Sequence, residues 1–553
     1  MRIEGQGAET GLRVFPGAER GETSDASPAM PTDRAELSIA GGGFDAALPG
    51  RAGKVSPYII MPPSGKKEKV TREQLQNDLA KKGNFNVAFK DEIPLLGGIT
   101  ATLDDKARAA LQGMGYRLIS DETVRFILPQ PSEKQRQATH FDDESPVEEP
   151  APGAIMRPQL EEPRFQSPLT QKYTGRGVTI AVVDTGIYPH PDFNVPNNRI
   201  LAFKDFVNGR TIPYDDNGHG THVAGDAAGN GFMSNGLYRG PAPDANLVGV
   251  KVLNQNGGGR TSDILKGINW VVENRERYNI RVMNLSLGNH ATSDPENDPI
   301  FKAVERAVEV GITVVTAAGN EGPDKNSISS PGDNPLVITV GAVDDNNTPD
   351  PSDDRIPDFS SRGPTLVGVP KPDLVAPGEA IIGPNAPVTP TEQQAKKYDQ
   401  INQTLQWLRG MDDNSLRQVP NETLRLVGLT DDTIEKIKSS PMSARMEIER
   451  LIQATDRLPL IETSYVGAPG TSMATPIVSG IIAEMLEANP RLTPAQVKQI
   501  LKSTANPLPR YGINTQGAGM INPHDAINRS LQERAEGYQA SIYDYVPESK
   551  ATV

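Results

Sequence analysis

Three short segments of the 553-residue chain carry side chains that can act together in nucleophilic catalysis. AVVDTGIYPHPD places Asp184 just past an apolar run, NGHGTHVAG places His219 between two glycines, and GTSMATP places Ser472 before an apolar helical stretch. A hydroxyl is a poor nucleophile at neutral pH and needs an adjacent base, and that base needs a carboxylate that fixes its tautomer. Asp184, His219 and Ser472 supply these three roles.

A fourth segment, VVTAAGN, ends an apolar run with Asn320. An amide in this position can donate a hydrogen bond to the oxyanion of a tetrahedral intermediate. Asn320 is therefore the candidate oxyanion donor, and its structural alternative is a turn residue.

The elements that must position these residues have the sequence pattern of an α/β fold. Apolar, β-branched runs recur at GVTIAVVDTG, ANLVGVKVL, RVMNLSLG, GITVVTAAGN and PLVITVGAV, with helical stretches at 261–278 and 298–311. Strands that alternate with helices predict a parallel β-sheet with helices on both faces. In such sheets functional residues gather at the carboxyl ends of the strands, where Asp184 and Asn320 lie.

DTGI, HGTHVAG, SLG, AAGN and GTSMATP, in this order, resemble the subtilisin-like serine peptidases over about residues 165–530. The order Asp, His, Ser is the one that subtilisin uses. The resemblance implies a serine endopeptidase in which Asp184, His219 and Ser472 form the triad and Asn320 stabilises the oxyanion. It implies no cofactor for the chemistry.

The resemblance also implies where polypeptide substrates bind. The segment Ser286–Leu287–Gly288 resembles the edge strand that pairs with substrate backbone. The specificity pocket is expected between this segment and Ala317–Ala318–Gly319, with Ser329 and Ser330 near its base. Because neither serine position holds an acid, we expect apolar or neutral side chains to be preferred over Lys or Arg.

Other interpretations stay open at this point. Asp, Ser and Gly are common turn formers, so each motif alone is compatible with a structural role, and Ser472 with that of a helix N-cap. His219 and His222 have the spacing of a metal pair, but no Glu lies between them. An ester hydrolase or transferase is one rival function. A silent or tightly regulated scaffold that acts through an inserted helical segment is the other.

A structural calcium site is a further expectation from the family. Asp192 matches the position of a family calcium ligand, and the loop 229–243 follows the His219 motif. Calcium prefers six or more oxygens, some of them charged. The loop supplies Asn230 and Asn235 but no carboxylate before Asp244, so a Gly/Asn turn is the alternative.

The rest of the chain divides by composition. Residues 1–65 are rich in Gly, Ala, Pro and Ser and predict a disordered tail. Residues 66–130 predict a small α+β domain that includes a pair of strands, one before and one after Asp121. Residues 131–165 predict an acidic, Pro-rich linker, 166–530 the catalytic domain and 531–553 a C-terminal tail.

The α+β domain resembles the family's inhibitory propeptide. The resemblance implies a zymogen whose own propeptide is an intramolecular inhibitor. We expect self-cleavage in the exposed linker between about Gln130 and Gln166.

The chain departs from the family pattern at about residues 383–462, where a short link is usual. Helix-like periodicity at 391–411, 421–429 and 433–456 predicts a small helical subdomain in this insertion. It could be a lid, a partner-binding arm over 391–456 or a specificity element, and the alternative is a surface insertion with no catalytic role.

Composition and charge limit the partners. Lys and Arg total 56 against 70 Asp and Glu, a formal net charge of −14, which argues against a nucleic-acid partner. The absence of cysteine excludes disulfides and a cysteine nucleophile. No apolar leader and no apolar stretch of about 18 residues is visible, so we expect no membrane association, a cytoplasmic protein by default and export only by a non-classical route.

Overall fold

The computed structural model describes residues 55–63, 69–121, 123–125 and 167–533, except for 347, 349, 427–430, 440–444, 446–447, 449–459 and 462–463. The predicted linker, most of the predicted N-terminal tail and most of the C-terminal tail lie outside the described residues, and so does the expected cleavage region.

The N-terminal module is an α+β unit, as predicted. Its antiparallel sheet has the order β2-β3-β1-β4. Thr71 and Asp104 cap its two helices by accepting backbone N–H groups of the first turns. The elements are β1 (Val55–Met61), α1 (Arg72–Ala80), β2 (Val87–Ile93), β3 (Gly98–Asp104), α2 (Asp105–Gly113), β4 (Arg117–Ser120) and β5 (Thr123–Arg125).

The module begins earlier than the predicted boundary at residue 66. β1 lies in the segment assigned to the tail, and it pairs with both β3 and β4. Its Ile59 and Ile60 are fully buried, and this burial depends on strands that follow it in the chain. Composition alone therefore did not reveal it.

The larger domain is built on a seven-stranded parallel sheet, which confirms the predicted fold class. The strand order is β13-β12-β11-β10-β6-β8-β7. The strands are β6 (Thr179–Asp184), β7 (Ile200–Asp205), β8 (Asn246–Lys251), β10 (Ile280–Leu285), β11 (Thr313–Ala317), β12 (Ile338–Val343) and β13 (Leu374–Pro377), and a short strand β9 (Gly258–Arg260) follows β8 outside this sheet.

Helices cover both faces of the sheet. Alternate residues of β6 enter different hydrophobic clusters, Ile180 and Val182 on one face and Ala181 and Val183 on the other. The helices are α3 (Pro168–Lys172), α4 (Pro191–Asn194), α5 (His219–Ala228), α6 (Thr261–Asn274), α7 (Pro299–Glu309), α8 (Pro390–Arg409), α9 (Asp413–Gln418), α10 (Asn421–Leu426), α11 (Asp431–Ser439), α12 (Thr471–Ala488), α13 (Pro494–Thr504), α14 (Ile513–Gln516) and α15 (Pro523–Gln532), with short 3-10 helices at Phe232–Ser234 and Pro295–Asn297. Of the helices that are described, none has the length and apolar character needed to cross a membrane.

The helical insertion interrupts a β-hairpin. β14 (Ile381–Pro384) and β16 (Tyr465–Ala468) pair antiparallel, and β15 (Leu460–Ile461) pairs with β16. Helices α8 to α11 lie between β14 and β15 in the chain. They share a hydrophobic cluster of their own, formed by Leu405, Leu408, Leu416, Val419, Leu424, Ile434 and Ile448.

Candidate active site

Asp184 and His219 form a buried pair at the carboxyl edge of the parallel sheet. Asp184 is the last residue of β6 and His219 the first of α5. The Nδ1 atom of His219 lies 2.8 Å from Oδ1 of Asp184, and both side chains are buried. The same carboxylate oxygen accepts the backbone N–H of Thr185. This geometry orients the imidazole with Nε2 as its remaining reactive nitrogen.

Asp215 ties together the elements that carry this pair. It lies four residues before His219 and is buried. Both of its carboxylate oxygens accept hydrogen bonds, at 2.7–3.0 Å, from Thr185 Oγ1, from the backbone N–H groups of Asn217, Gly218 and Thr221 and from Thr221 Oγ1. Asp215 is not among the site residues predicted from the sequence, although its position next to the NGHGTH motif could have pointed to it.

The backbone around His219 approaches the segment that follows β6 too closely for a side chain. A Cβ atom on Gly220 would lie 2.2 Å from the carbonyl oxygen of Gly186, and Gly218 has φ +102°. The two glycines of NGHGTH are therefore required by the close approach and by the left-handed turn.

Ser472 lies at the start of α12 against the SLG segment. The helix begins at Thr471, with Gly470 as its N-cap at φ +143°, so Ser472 is inside the helix and does not cap it. Its Oγ donates to the carbonyl of Ser286 at 3.4 Å, and Ser286 Oγ donates to the carbonyl of Ser472 at 2.8 Å. These contacts join the predicted nucleophile to the predicted substrate-binding strand.

Asn320 is oriented by the residue before Ser472. Its Oδ1 accepts the backbone N–H and the Oγ1–H of Thr471, each at 2.9 Å. Since the carbonyl end of the amide is held by Thr471, the NH2 end is the one that can donate to a group in the adjoining pocket. Oxyanion stabilisation requires a donor of this kind.

One pocket brings most of the predicted binding residues together with Ser472. Its lining residues are Ser286, Leu287, Gly288, Ala317, Gly319, Asn320, Ser329, Thr471 and Ser472. Ala318, predicted to bind substrate, does not line it: the residue is fully buried, and its backbone N–H and carbonyl form hydrogen bonds with Val340 and Ser329. Ser330, placed near the pocket base by motif position, instead donates its hydroxyl to Asp298.

His222 forms a second buried pair, one turn along α5 from His219. Its Nδ1 lies 2.8 Å from Oδ2 of Asp226, and its Nε2 lies 2.9 Å from the carbonyl of Val466 in β16. Burial alone would lower the pKa of His222, but the adjacent Asp226 raises it. Because both ring nitrogens are engaged, the metal-pair interpretation of His219 and His222 is wrong. In the part of the chain that the structure describes, no group of three His, Cys, Asp or Glu side chains is arranged to hold a metal ion.

Asp192 does not fit a calcium ligand. Its two carboxylate oxygens accept the hydroxyl of Tyr465 at 3.0 and 2.9 Å, and Oδ1 also accepts the backbone N–H of Met233 at 3.1 Å. The side-chain amide of Asn230 donates to a backbone carbonyl. Calcium needs a shell of oxygen acceptors, whereas both oxygens of this carboxylate already accept hydrogen bonds from Tyr465 or Met233. Tyr465 lies 273 residues away in the chain, so the sequence could not reveal this contact.

A second strand edge, which was not predicted from the sequence, lies at β9. β9 pairs antiparallel with β5 of the N-terminal module, so the two strands around Asp121 belong to different sheets. Asp121 accepts the backbone N–H and the hydroxyl of Ser262, both at 2.8 Å, in the first turn of α6. The glycine run at 257–259, which extends into β9, is the local signal that could have indicated such an edge.

Comparisons with known proteins agree with this geometry. A family model described as the Subtilase family matches residues 175–416 and 444–535. Serine protease AprX of Bacillus subtilis (strain 168) is 42% identical over 362 residues, 65% of this chain and 67% of AprX. Subtilisin Savinase of Lederbergia lenta is 30% identical over 366 residues, 66% of this chain and 96% of that protein. A subtilisin of Bacillus sp. (strain TA39) is 39% identical over 203 residues, 36% of this chain and 46% of that protein.

Proposed function

Because the chain belongs to the subtilase family and is a serine endopeptidase, we propose that Asp184, His219 and Ser472 are its catalytic triad. We also propose that it is made as a zymogen that removes its own N-terminal region. The observation that carries the first proposal is the buried contact of 2.8 Å between His219 Nδ1 and Asp184 Oδ1. This contact holds the imidazole as a base for a hydroxyl.

In the proposed reaction Ser472 Oγ attacks the scissile carbonyl carbon while His219 Nε2 takes its proton. The C–N bond then breaks, and His219 returns the proton to the leaving amine. Water, activated by the same nitrogen, hydrolyses the acyl-enzyme ester and frees Ser472. Asp184 stays ionised and stabilises the imidazolium. The Asn320 NH2 group and the backbone N–H of Ser472 donate to the oxyanion in both tetrahedral intermediates.

Extended peptide segments are the substrates that these edges fit best. The acyl side of the substrate would pair with Ser286 to Gly288 on one side and with β9 on the other, as one strand adds to another. The pairing of β5 with β9 supports this binding mode. The lining residues of the pocket include no acid, which supports a preference for apolar or neutral side chains before the scissile bond. A peptide library cleaved mainly after Arg would overturn that preference.

The contacts of the N-terminal module support the inhibitor role. Ile59, Met61 and Ile93 join the hydrophobic cluster that contains the apolar side of α6. Asp121 caps α6, and β5 covers the edge of β9 that a substrate would use. A module held in this way blocks substrates until the linker is cut.

Activity-based labelling tests the triad, and processing tests the zymogen. We expect a fluorophosphonate probe to label the processed wild type at Ser472, and casein to be hydrolysed. Ser472→Ala should abolish both, whereas Ser503→Ala, on an exposed face of α13, should leave both unchanged. An unlabelled, correctly processed wild type would instead favour a catalytically silent scaffold.

N-terminal sequencing of the wild type and Ser472→Ala locates the cut. We expect a new N-terminus between about Gln130 and Gln166 only in the wild type. Equal processing of both proteins would mean that another protease performs the cleavage. Comparison of casein with small esters separates a peptidase from an ester hydrolase.

A further inference from the structure

The helical insertion reaches the loop that carries His219. Thr391, at the start of α8, donates its hydroxyl and its backbone N–H to the carbonyl of Asn217 at 2.7 and 3.3 Å. A Cβ atom on Gly218 would lie 2.9 Å from Cβ of Thr391 and 3.0 Å from Oγ1 of Thr389. We call residues 385–392, which lead from β14 into α8, the collar. The collar packs directly against the two residues before His219.

The collar is held by its own hydrogen bonds. Thr389 Oγ1 donates to the carbonyl of Ala386 at 2.7 Å and accepts the backbone N–H of Glu392 at 3.2 Å. The carboxylate of Glu392 accepts the backbone N–H of Val388 at 2.6 Å. Thr389 and Glu392 are both buried. The collar is therefore a fixed part of the site's surroundings.

Val388 is held by these bonds in a conformation that its residue type disfavours. Its φ is +61°, and it is the only β-branched residue with positive φ in the part of the chain that the structure describes. Its side chain is also 84% exposed. Strain of this kind persists only where the surroundings impose it. Here the surroundings display an apolar side chain to solvent beside the His219 loop.

Asn217 links the collar to the turn before β9. Its side-chain amide donates to the carbonyl of Gln255 in the turn before β9, whereas its backbone carbonyl accepts from Thr391 of the collar. β9 pairs with β5, which precedes the expected cleavage region in the chain. β9 therefore borders the part of the substrate before the scissile bond. The collar contacts Asn217 through a different group, the backbone carbonyl near His219, and we infer that it borders the other part, toward which His219 must deliver the proton of the leaving amine.

On the basis of the proposed function, we propose that the collar is a specificity element for the leaving-group half of the substrate. Val388 contacts an apolar side chain within the first two residues after the scissile bond. The insertion thus contributes to the choice of cleavage site through its first residues, and its helical part carries the collar.

Two kinds of substrate test this proposal. The first is a peptide series with a constant acyl half and either Leu, Lys or Asp at the two positions after the scissile bond. The second is the same acyl half as a p-nitroanilide, which has no residues after that bond. We expect the processed wild type to cleave the Leu peptides faster than the Asp peptides.

Val388→Gly removes the side chain and tolerates positive φ, so it should fold normally. We expect the ratio of its cleavage rates for Leu and Asp peptides to fall about tenfold. Its rate of p-nitroanilide hydrolysis should stay within twofold of the wild-type rate. Val388→Asp should shift the preference toward Lys. Val367→Gly, at an exposed valine in another loop, is the matched control and should change neither rate.

The outcomes separate this proposal from the proposed function. Absence of probe labelling at Ser472 and of p-nitroanilide hydrolysis in the wild type would refute the triad. Normal labelling with an unchanged peptide preference in both Val388 variants would refute only the collar's role. An equal loss on the p-nitroanilide would also overturn it, because the collar would then act on His219 and not on the substrate.

Discussion

Asp215 shows how far the geometry of the site depends on a carboxylate outside the three predicted catalytic positions. It accepts hydrogen bonds from the residue after Asp184 and from the backbone on both sides of His219. An isosteric amide at this position would set an NH2 group against backbone N–H donors. The imidazole would then lose its fixed place relative to its partners.

Asp215→Asn should therefore lower kcat by about 10²-fold with little change in KM, because small misplacements of a catalytic group have costs of this size. Steady-state hydrolysis of a p-nitroanilide by the processed protein measures both constants. Asp205→Asn is a matched control, since Asp205 is also buried and accepts three backbone N–H groups and a tyrosine hydroxyl. Similar losses in both variants would contradict a positioning role for Asp215.

At the scale of elements, a buried ion cluster joins three of them. Asp373, just before β13, accepts the backbone N–H of Thr339 in β12 and lies 2.7 Å from Nζ of Lys371. Lys498 and Lys502 of α13 approach its other oxygen at 3.0 and 3.5 Å. Burial alone would raise the pKa of Asp373, but the lysines lower it below its usual range.

The sign of the pH effect follows from that lowered pKa. The unfolded chain takes up a proton at this position near pH 4, while the folded chain remains ionised to lower pH. The carboxylate thus stabilises the fold fully above about pH 4, and this contribution declines as the pH falls. Asp373→Asn leaves Lys371 buried without a charged partner, which should cost about 3–5 kcal/mol at neutral pH.

Urea unfolding in the Ser472→Ala background, which prevents self-digestion, measures this cost. We expect the difference in the free energy of unfolding between the Asp373→Asn variant and its parent to become smaller below about pH 4. Asp358→Asn, which removes a half-exposed ion pair with Arg362, should change stability by less than about 1 kcal/mol. A pH-independent difference for Asp373→Asn would show that its charge is not responsible.

The cap that Asp121 provides to α6 is the second contact at this scale. Asp121→Ala should weaken the docking of the N-terminal module by about 1–2 kcal/mol, since two hydrogen bonds to the first turn are lost. In the full-length protein we expect casein hydrolysis to begin earlier after refolding. Asp91→Ala removes only an exposed ion pair with Lys266 and should have a smaller effect. If casein hydrolysis by Asp121→Ala began no earlier than in the wild type, the role of Asp121 in docking the module would be contradicted.

At the scale of the whole molecule, the described parts differ in how they are stabilised. The N-terminal module shares a hydrophobic cluster with the larger domain, whereas the helices of the insertion share a cluster of their own. The hairpin that flanks the insertion links it to the larger domain. Tyr465 of β16 bonds Asp192, and His222 bonds the carbonyl of Val466.

Thermal unfolding of the Ser472→Ala protein tests whether calcium binds at Asp192 and stabilises the fold. Because Tyr465 and Met233 already satisfy the Asp192 carboxylate, we expect EDTA to leave Tm unchanged. Tyr465→Phe should lower stability by about 1–3 kcal/mol by leaving that carboxylate short of a donor. A fall in Tm that calcium reverses, and that Asp192→Asn abolishes, would restore the calcium site.

The sequence by itself determined the chemistry and the fold class, because both are encoded locally. Short motifs carry Asp184, His219, Asn320 and Ser472, and β-branched runs that alternate with helical stretches indicate a parallel sheet. The carboxyl ends of parallel strands lie at one edge, so residues nearly three hundred positions apart could be expected to meet.

Tertiary structure alone decided which residues support and border that site. The bonds of Asp192 to Tyr465, of β9 to β5 and of Asn217 to Thr391 each join segments far apart in the chain. Such contacts depend on how elements pack, and packing leaves no periodic signature in either segment.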